Sequence, residues 1–599
     1  MLETFRRGKG ATAKLVNSLI SSLAAARQFV LRYPAQTICC CILFLMGANL
    51  LSVAARKTIT NDEIVHIPAG YHYLVSGNFR LNPEHPPLVK MWACLPVLFL
   101  RPKASSLTEP SGQDFAQFTV TSSIDFWQQN RPRFQAISFW SRFPMVLLTL
   151  ALGALIFVYG RRLFGARAAL LSVALFSLEP TMLAHGRIVH TDMAAALGYL
   201  LFFFALQTYG RAPTFPRALW FGIAAGLTFL TKFSMVILVP VFLAALAYAL
   251  WTAPRFQTSR GKIALQSCLA AFIALLLINA AYYFQHPTLA QPETNWIAAT
   301  MPLVSERIML AIRVLSLVLP TYYLFGLYTL VVHNHFGHPA SLLGQYNAFG
   351  WWYYFPIAFA LKTTIPFLLL TVCALGWALW GGILRHEKKL LALVIPIALY
   401  MTMSMMSNIN IGIRHIAPVF PFLFLLGGGC LDRLLKSNVR GRGAAVLTVV
   451  LLGWMLVDAV RAYPDYMAFM SPLTLGRPGW QLLSDSNVEW GDDVGALARY
   501  LHDHGETKVR AGLSGGWATL EMYDIQLVDF APPDVHQPGT SYIAIGAGLL
   551  NGSTVPAGLR DTNGAILSEE QTHNFFASYR TASPEAVFGH SIFLYRAKD

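Results

Sequence analysis

Just past its first long apolar run the chain reads TITNDEIVHIPAGYHYLVSGNFRLNPEHPPLVKMW, which sets Asp62 and Glu63 side by side, with His66, Glu84, His85 and Lys90 following. An acid pair with histidines and a lysine nearby gathers ionisable residue types of the kind active sites use. Ionisable groups this close to an apolar run are costly unless solvated or paired, which makes the pair a functional candidate. The competing reading is a helix N-cap with solvated carboxylates. A second segment, EPTMLAHGRIVHTDMAAALGYLL, places Arg187 and Asp192, with His185 and His190, between two apolar runs, and there Asp192 could equally cap the next helix. Further cations stand at ends of apolar runs: Lys232, Lys362 in YYFPIAFALKTTIP, and Arg414 with His415 in SNINIGIRHIAPVFPF. Taken singly, each could snorkel to headgroups. Gathered around one acid pair, they would hold an anion at the lipid boundary, and a lipid phosphate is the anion found there.

These residues need a membrane to position them. With 55% apolar and 13% charged residues, the chain carries more apolar surface than a soluble fold buries. Runs of about 20 apolar residues explain the excess, since that length crosses a bilayer core. About eleven spans are expected, near 35–55, 138–160, 168–184, 192–209, 218–231, 233–251, 263–284, 364–383, 390–406, 415–431 and 443–460. The first is read as an uncleaved helix, because its core is longer than a signal h-region and many spans follow. With the basic N-terminus (Arg6, Arg7, Lys9, Lys14) inside, alternate crossing puts Arg161/Arg162/Arg167, Arg211/Arg217, Arg255/Arg260/Lys262, Arg385/Lys388/Lys389 and Arg433/Lys436/Arg440/Arg442 inside as well. Every short loop assigned to the inside is then basic, as the positive-inside bias requires.

The same parity puts three polar segments outside: about 56–137, about 285–360, and the tail from about 462 to Asp599. Asp62, Arg187 and Asp192 then share the outer face. The short apolar stretch 86–101 opens with Pro86-Pro87 and reads as a helix lying on that face, and Trp351–Tyr354 as an interfacial belt. The tail reads as a small α/β soluble domain, with an amphipathic helix over Asp492–His504 and strands over Lys508–Ser514, Tyr542–Leu549 and Ser591–Arg596. The net charge of +15 follows the loops and forms no basic-aromatic stripe, which argues against a nucleic-acid partner. Seven cysteines show neither a CxxC nor a Cys/His spacing, so neither a disulfide framework nor a zinc site is indicated.

The order of Asp62-Glu63 after the first span, HPPLVK later in that loop, Arg187 and Asp192 before the fourth span, and RHIAPVFPF before a late span resembles glycosyltransferase family 39. That is the protein O-mannosyltransferase and aminoarabinose transferase superfamily, of GT-C fold. The resemblance covers about the first 460 residues, and the tail motif LLSDSNVEWGDDVGALARYL is similar to tails of bacterial members. The β-trefoil that eukaryotic O-mannosyltransferases insert in an outer loop has no counterpart here. The resemblance implies a sugar moved from a polyprenyl-monophosphate donor to an acceptor hydroxyl of protein, lipid or glycan, on the outer face of the plasma (inner) membrane. Because a lipid phosphate leaves readily, such an enzyme needs one base on the acceptor and cations on the phosphate. Asp62 is the expected base, and Glu63 positions the acceptor or orients Asp62. Arg187, Lys232, Arg414 and Lys362 are expected on the phosphate, with His85 and Lys90 lining the site. The family is implied to need no metal, although Asp62 and Asp192 could ligate a divalent ion. The alternative is a flippase of lipid-linked sugars, for which midplane charges and repeated halves would be the signal.

Overall fold

The structure is a computed structural model that describes residues 28, 31–105, 115–252, 259–437, 441–515, 517–528, 540–555 and 565–597. The expected cytoplasmic cations Arg6, Arg7, Lys9, Lys14, Arg255 and Arg440 lie outside the described residues. Nine described helices are long and apolar enough to cross a membrane: Pro34–Arg56, Arg131–Phe164, Asp192–Arg211, Phe233–Thr252, Arg260–Ala281, Ile365–Leu384, Lys388–Met405, Ile413–Leu435 and Gly441–Ala462. The chain is an integral membrane protein. Large apolar side chains on these helices stay exposed, among them Phe44, Trp251, Phe272, Val372 and Val449. A lipid-facing belt requires such a surface.

Two of the eleven expected spans are shorter than the apolar runs suggested. Ala166–Leu178 has 13 residues and Phe215–Phe229 has 15. At about 1.5 Å per residue neither alone reaches the roughly 30 Å of a hydrocarbon core. Glu179-Pro180 interrupts the first, and the second gives way to an extended Lys232 (φ −155°, ψ 142°). Both breaks bring polar backbone to one end of the bundle. Glycines hold the short helices in place. A Cβ on Gly428 would stand 2.5 Å from the Ala168 carbonyl oxygen, so Ala166–Leu178 packs directly on the Phe420–Leu435 helix. Gly222 and Gly226, one turn apart, face Ala270 and Ala274 with the same closeness. Small residues allow this approach where no apolar driving force separates helix from lipid.

The bundle has two distinct ends. At one, Arg167 and Lys436 share Asp432 at 2.6 Å each, and Lys389 lies 5.4 Å over the Phe164 ring. The other end holds Asp62, Arg187, Asp192, Lys232, Lys362 and Arg414. It is covered by the helix Asn61–Ser76, by Pro87–Cys94 and Val97–Leu100 within the stretch read as surface-lying, and by Thr321–Phe336 and Tyr354–Lys362 from the later polar segment.

The tail forms a five-stranded sheet in the order Gln526–Val528, Lys508–Gly512, Tyr542–Gly546, Ile592–Arg596, Ala586–Phe588. The first three strands run parallel and the last two pairings are antiparallel. The amphipathic helix Val494–Asp503 buries Val494, Leu497, Ala498 and Leu501 against one face of this sheet. The strand expected to continue to Leu549 stops at Gly546 and turns into the short helix Ala547–Leu550.

Candidate active site at the polar end of the bundle

Asp62 and Glu63 lie in the first turn of Asn61–Ser76, whose N-cap is Thr60 rather than either acid. Thr60 and Glu63 form a capping box, with the Thr60 amide donating to Glu63 Oε2 at 2.8 Å. The cap is buried rather than solvated. Arg142 grips the same carboxylate in a two-pronged pair, Nε to Oε1 at 2.8 Å and Nη2 to Oε2 at 2.6 Å, and both side chains are 0% exposed. The Val189 amide adds a bond to Oε1 at 3.0 Å. Burial pushes the Glu63 carboxyl up, but Arg142 and these amides outweigh it and hold it at about 2. The remaining Arg142 donors go to the carbonyls of Ala54, Lys57 and Thr58, locking the turn between the first span and the Asp62 helix.

One residue earlier in the same turn, Asp62 meets a different partner and keeps 22% of its side chain exposed. Its Oδ2 accepts from Arg414 Nη1 at 2.9 Å, and the same nitrogen reaches Asp192 Oδ2 at 3.2 Å. Lys232 pairs with the other oxygen of Asp192. Asp192 makes no cap bond of its own at the start of Asp192–Arg211. A continuous row of alternating charge, Asp62–Arg414–Asp192–Lys232, thus joins four separate segments. A guanidinium bridges the two aspartates, and among the described residues no group of three or more His, Cys, Asp or Glu side chains could hold a metal ion. Burial tends to raise the Asp62 carboxyl, and Arg414, with His66 and His190, overcomes this and lowers it.

The histidines frame this row. His66 Nδ1 donates to the Val189 carbonyl at 3.0 Å, and burial lowers the ring to about 4. His190 accepts the Asp192 amide on Nδ1 at 2.9 Å and lies 3.1 Å from the His185 carbonyl through Nε2, which orients it against Asp192. His85 packs edge-on to His66, ring centroids 5.7 Å apart, and burial lowers it well below its usual range. His415 is partly buried beside Arg414. Lys90 makes its hydrogen bonds outside the row. Its ammonium bonds both the side-chain and the main-chain oxygen of Asn82 and lies 5.5 Å over the Tyr73 ring, and burial lowers it to about 7.

Arg187 and Lys362 are buried against the tail. Arg187, 1% exposed, pairs with Asp492 of the tail at 2.8 Å. Lys362 caps the carbonyls of Met467 and Asn487 at 2.7 and 2.6 Å. The tail segment 484–493 is therefore part of the site. Trp490 lies 4.0 Å beneath the Arg414 guanidinium, Ser486 accepts from Arg414 Nε at 2.9 Å, and the carbonyls of Trp490 and Asp492 take the amides of Asn61 and Thr58. Glu489 in the same segment accepts from Ser514 and Gly548, at the ends of two adjacent parallel strands, which seats the sheet on the bundle. Glu84, at the rim, is half exposed and 4.0 Å from His333.

Residues 134–279 match the family model described as dolichyl-phosphate-mannose-protein mannosyltransferase. That stretch spans about a quarter of the chain. It contains Arg142, Arg187, Asp192 and Lys232, and it agrees with the resemblance read from the motifs. No curated protein matches the chain. Among solved structures, the chain is similar to ArnT from Cupriavidus metallidurans in the apo state, 14% identical over 96% of this chain and 98% of that one, with a TM-score of 0.45. ArnT from the same organism bound to undecaprenyl phosphate is 13% identical over 93% and 97%, TM-score 0.43. The Archaeoglobus fulgidus oligosaccharyltransferase AglB, in complex with an inhibitory peptide and a dolichol-phosphate, is 11% identical over 86% and 70%, TM-score 0.45.

Several residues of the site were not singled out from sequence. Arg142 had a signal, since it is an ionisable residue inside an apolar run, which is a functional or pairing flag in a membrane chain. Trp490 and Asp492 stood in a quoted tail motif but had no local reason to reach the membrane.

Proposed function

We propose that the chain is a membrane glycosyltransferase that moves a sugar from a polyprenyl-monophosphate donor to an acceptor hydroxyl on the outer face of the membrane. The observation that carries this reading is the row Asp62–Arg414–Asp192–Lys232, with a partly exposed carboxylate at one end and two cations along it. The family match over residues 134–279 supports the reaction class. In the proposed mechanism the acceptor O–H gives its proton to Asp62 while its oxygen bonds the sugar's anomeric carbon. The bond from that carbon to the phosphate oxygen breaks, and the lipid phosphate leaves with one added negative charge. Arg414 and Lys232 face that developing charge. Asp62 is held low by Arg414 in the resting site, so a phosphate that draws Arg414 toward itself raises the basicity of Asp62 when the donor is in place. Glu63 and Arg142 serve as positioning residues that fix the Asp62 turn, and Arg187 and Lys362 anchor the tail segment.

The test is Asp62→Asn in proteoliposomes supplied with radiolabelled polyprenyl-phosphate sugar and envelope acceptors. Loss of a general base lowers turnover by about 10²–10⁴-fold with donor binding retained. Wild-type turnover in that variant removes Asp62 from the mechanism. Transbilayer movement of the lipid without a new glycosidic bond, in the wild type, favours a flippase instead.

A further inference from the structure

Beyond the charged row, a second line of polar side chains runs along the rim of the same site. His333 Nδ1 lies 4.0 Å from Glu84 Oε1, His333 Nε2 is 3.2 Å from His338 Nδ1, and His338 Nε2 is 3.8 Å from Asp485 Oδ2. The four come from separate places: the Asp62 loop, the end of Thr321–Phe336, the residue bridged to Ile409, and the tail. All are accessible, with side-chain exposures of 51%, 31%, 33% and 15% in that order. Pairs this exposed contribute little to stability. Asp485 is also held at φ +54°, a left-handed conformation that a non-glycine residue adopts at a cost. Such strain gathers where a side chain must be aimed.

The line begins and ends beside the charged row. Asp485 precedes Ser486, which accepts from Arg414, and Glu84 precedes His85, which packs on His66. His333 is close enough to Lys232 to feel its charge. A metal would need nitrogens aimed at a common centre, whereas His333 and His338 bond one another. Two carboxylate acceptors flank two imidazoles that both donate and accept, and the set matches a row of hydroxyls, each of which also donates and accepts.

We infer that Glu84, His333, His338 and Asp485 form the subsite that binds the hydroxyls of the donor's sugar. This rests on the proposed function: where Arg414 and Lys232 hold the phosphate, the group bonded to that phosphate meets these four side chains.

The experiment measures binding of the full chain in nanodiscs to bare polyprenyl phosphate and to a panel of polyprenyl-phosphate hexoses and pentoses. In the wild type, the preferred sugar-lipid binds more tightly than the bare lipid. In Glu84→Gln and His338→Ala that preference falls about tenfold, while affinity for bare polyprenyl phosphate stays within about twofold. Glu84 is half exposed, so Glu84→Gln tests the idea even where a histidine variant fails to fold. A preference retained in both variants overturns the subsite, as does an equal loss for sugar-lipid and bare lipid, which marks a structural role. A wild type with neither sugar preference nor transfer sinks the proposed function first, and the subsite with it.

Discussion

Glu63→Gln separates the two halves of the acid pair. Five donors converge on the Glu63 carboxylate: Arg142 twice, the Thr60 amide and hydroxyl, and the Val189 amide. Glutamine keeps the shape but replaces one acceptor oxygen with an NH2 that faces donors, and it leaves the Arg142 charge unpaired at 0% exposure. The carboxyl is moved from an ordinary 4.5 to about 2, which at about 1.4 kcal/mol per tenfold is about 3 kcal/mol. That agrees with the roughly 3–5 kcal/mol cost of breaking a buried ion pair. Because the folded value lies below the unfolded one, this stability is complete above about pH 4.5 and is lost as pH falls toward 2. Asp62→Asn behaves differently: Asp62 is partly exposed, and Arg414 keeps Asp192 as a partner, so the stability cost stays within about 1 kcal/mol. Thermal and denaturant unfolding in detergent, run beside a transfer assay, distinguishes the two. Glu63→Gln loses about 3 kcal/mol and its surviving folded fraction keeps the donor KM. Asp62→Asn keeps stability and loses kcat. A Glu63→Gln protein as stable as wild type but without turnover refutes the division of roles.

Arg187→Met leaves Asp492 buried without its cation, a loss of about 3–5 kcal/mol in tail docking, read as new protease cleavage within 465–493. Lys362 is lowered by burial from 10.5 to about 7, so the unfolded chain holds a proton that the folded one lacks across that window. Stability therefore rises with pH between about 7 and 10.5, by up to about 1.4 kcal/mol per pH unit from this residue, and Lys362→Met removes that share of the slope in thermal midpoints. Gly70→Ala puts a Cβ 2.2 Å from the Lys90 carbonyl oxygen and 2.9 Å from Cys94 Sγ, an overpacking cost of about 1–3 kcal/mol that moves the Asp62 helix and lowers turnover together with stability. Single cysteines at exposed Asn61 and in the Arg385 loop, labelled from outside intact cells, should react at the first position only. The reverse pattern inverts the orientation.

The sequence by itself determined where the apolar runs lie, because each crossing of a bilayer imposes a length and a composition that stand written along the chain. It determined too that basic loops alternate with the segments carrying Asp62 and Arg187, and that an amphipathic helix and strands follow the last span. Two runs misled on length, since the helices break at Glu179-Pro180 and before Lys232. Only the tertiary structure decided which charge meets which. Arg414 reaches Asp62 across 352 residues and Arg187 reaches Asp492 across 305. Periodicity reports neighbours three or four residues apart and is silent at such separations. For the same reason Asp62 and Glu63, adjacent in sequence, take different partners at the start of one helix, one in a partly exposed row of charge and the other in a sealed pair with Arg142. The sequence marked the tail as a small soluble domain without showing its docking, because its contacts with the bundle are made through carbonyls, a stacked indole and single carboxylates, none of which leaves a pattern before the chain has folded.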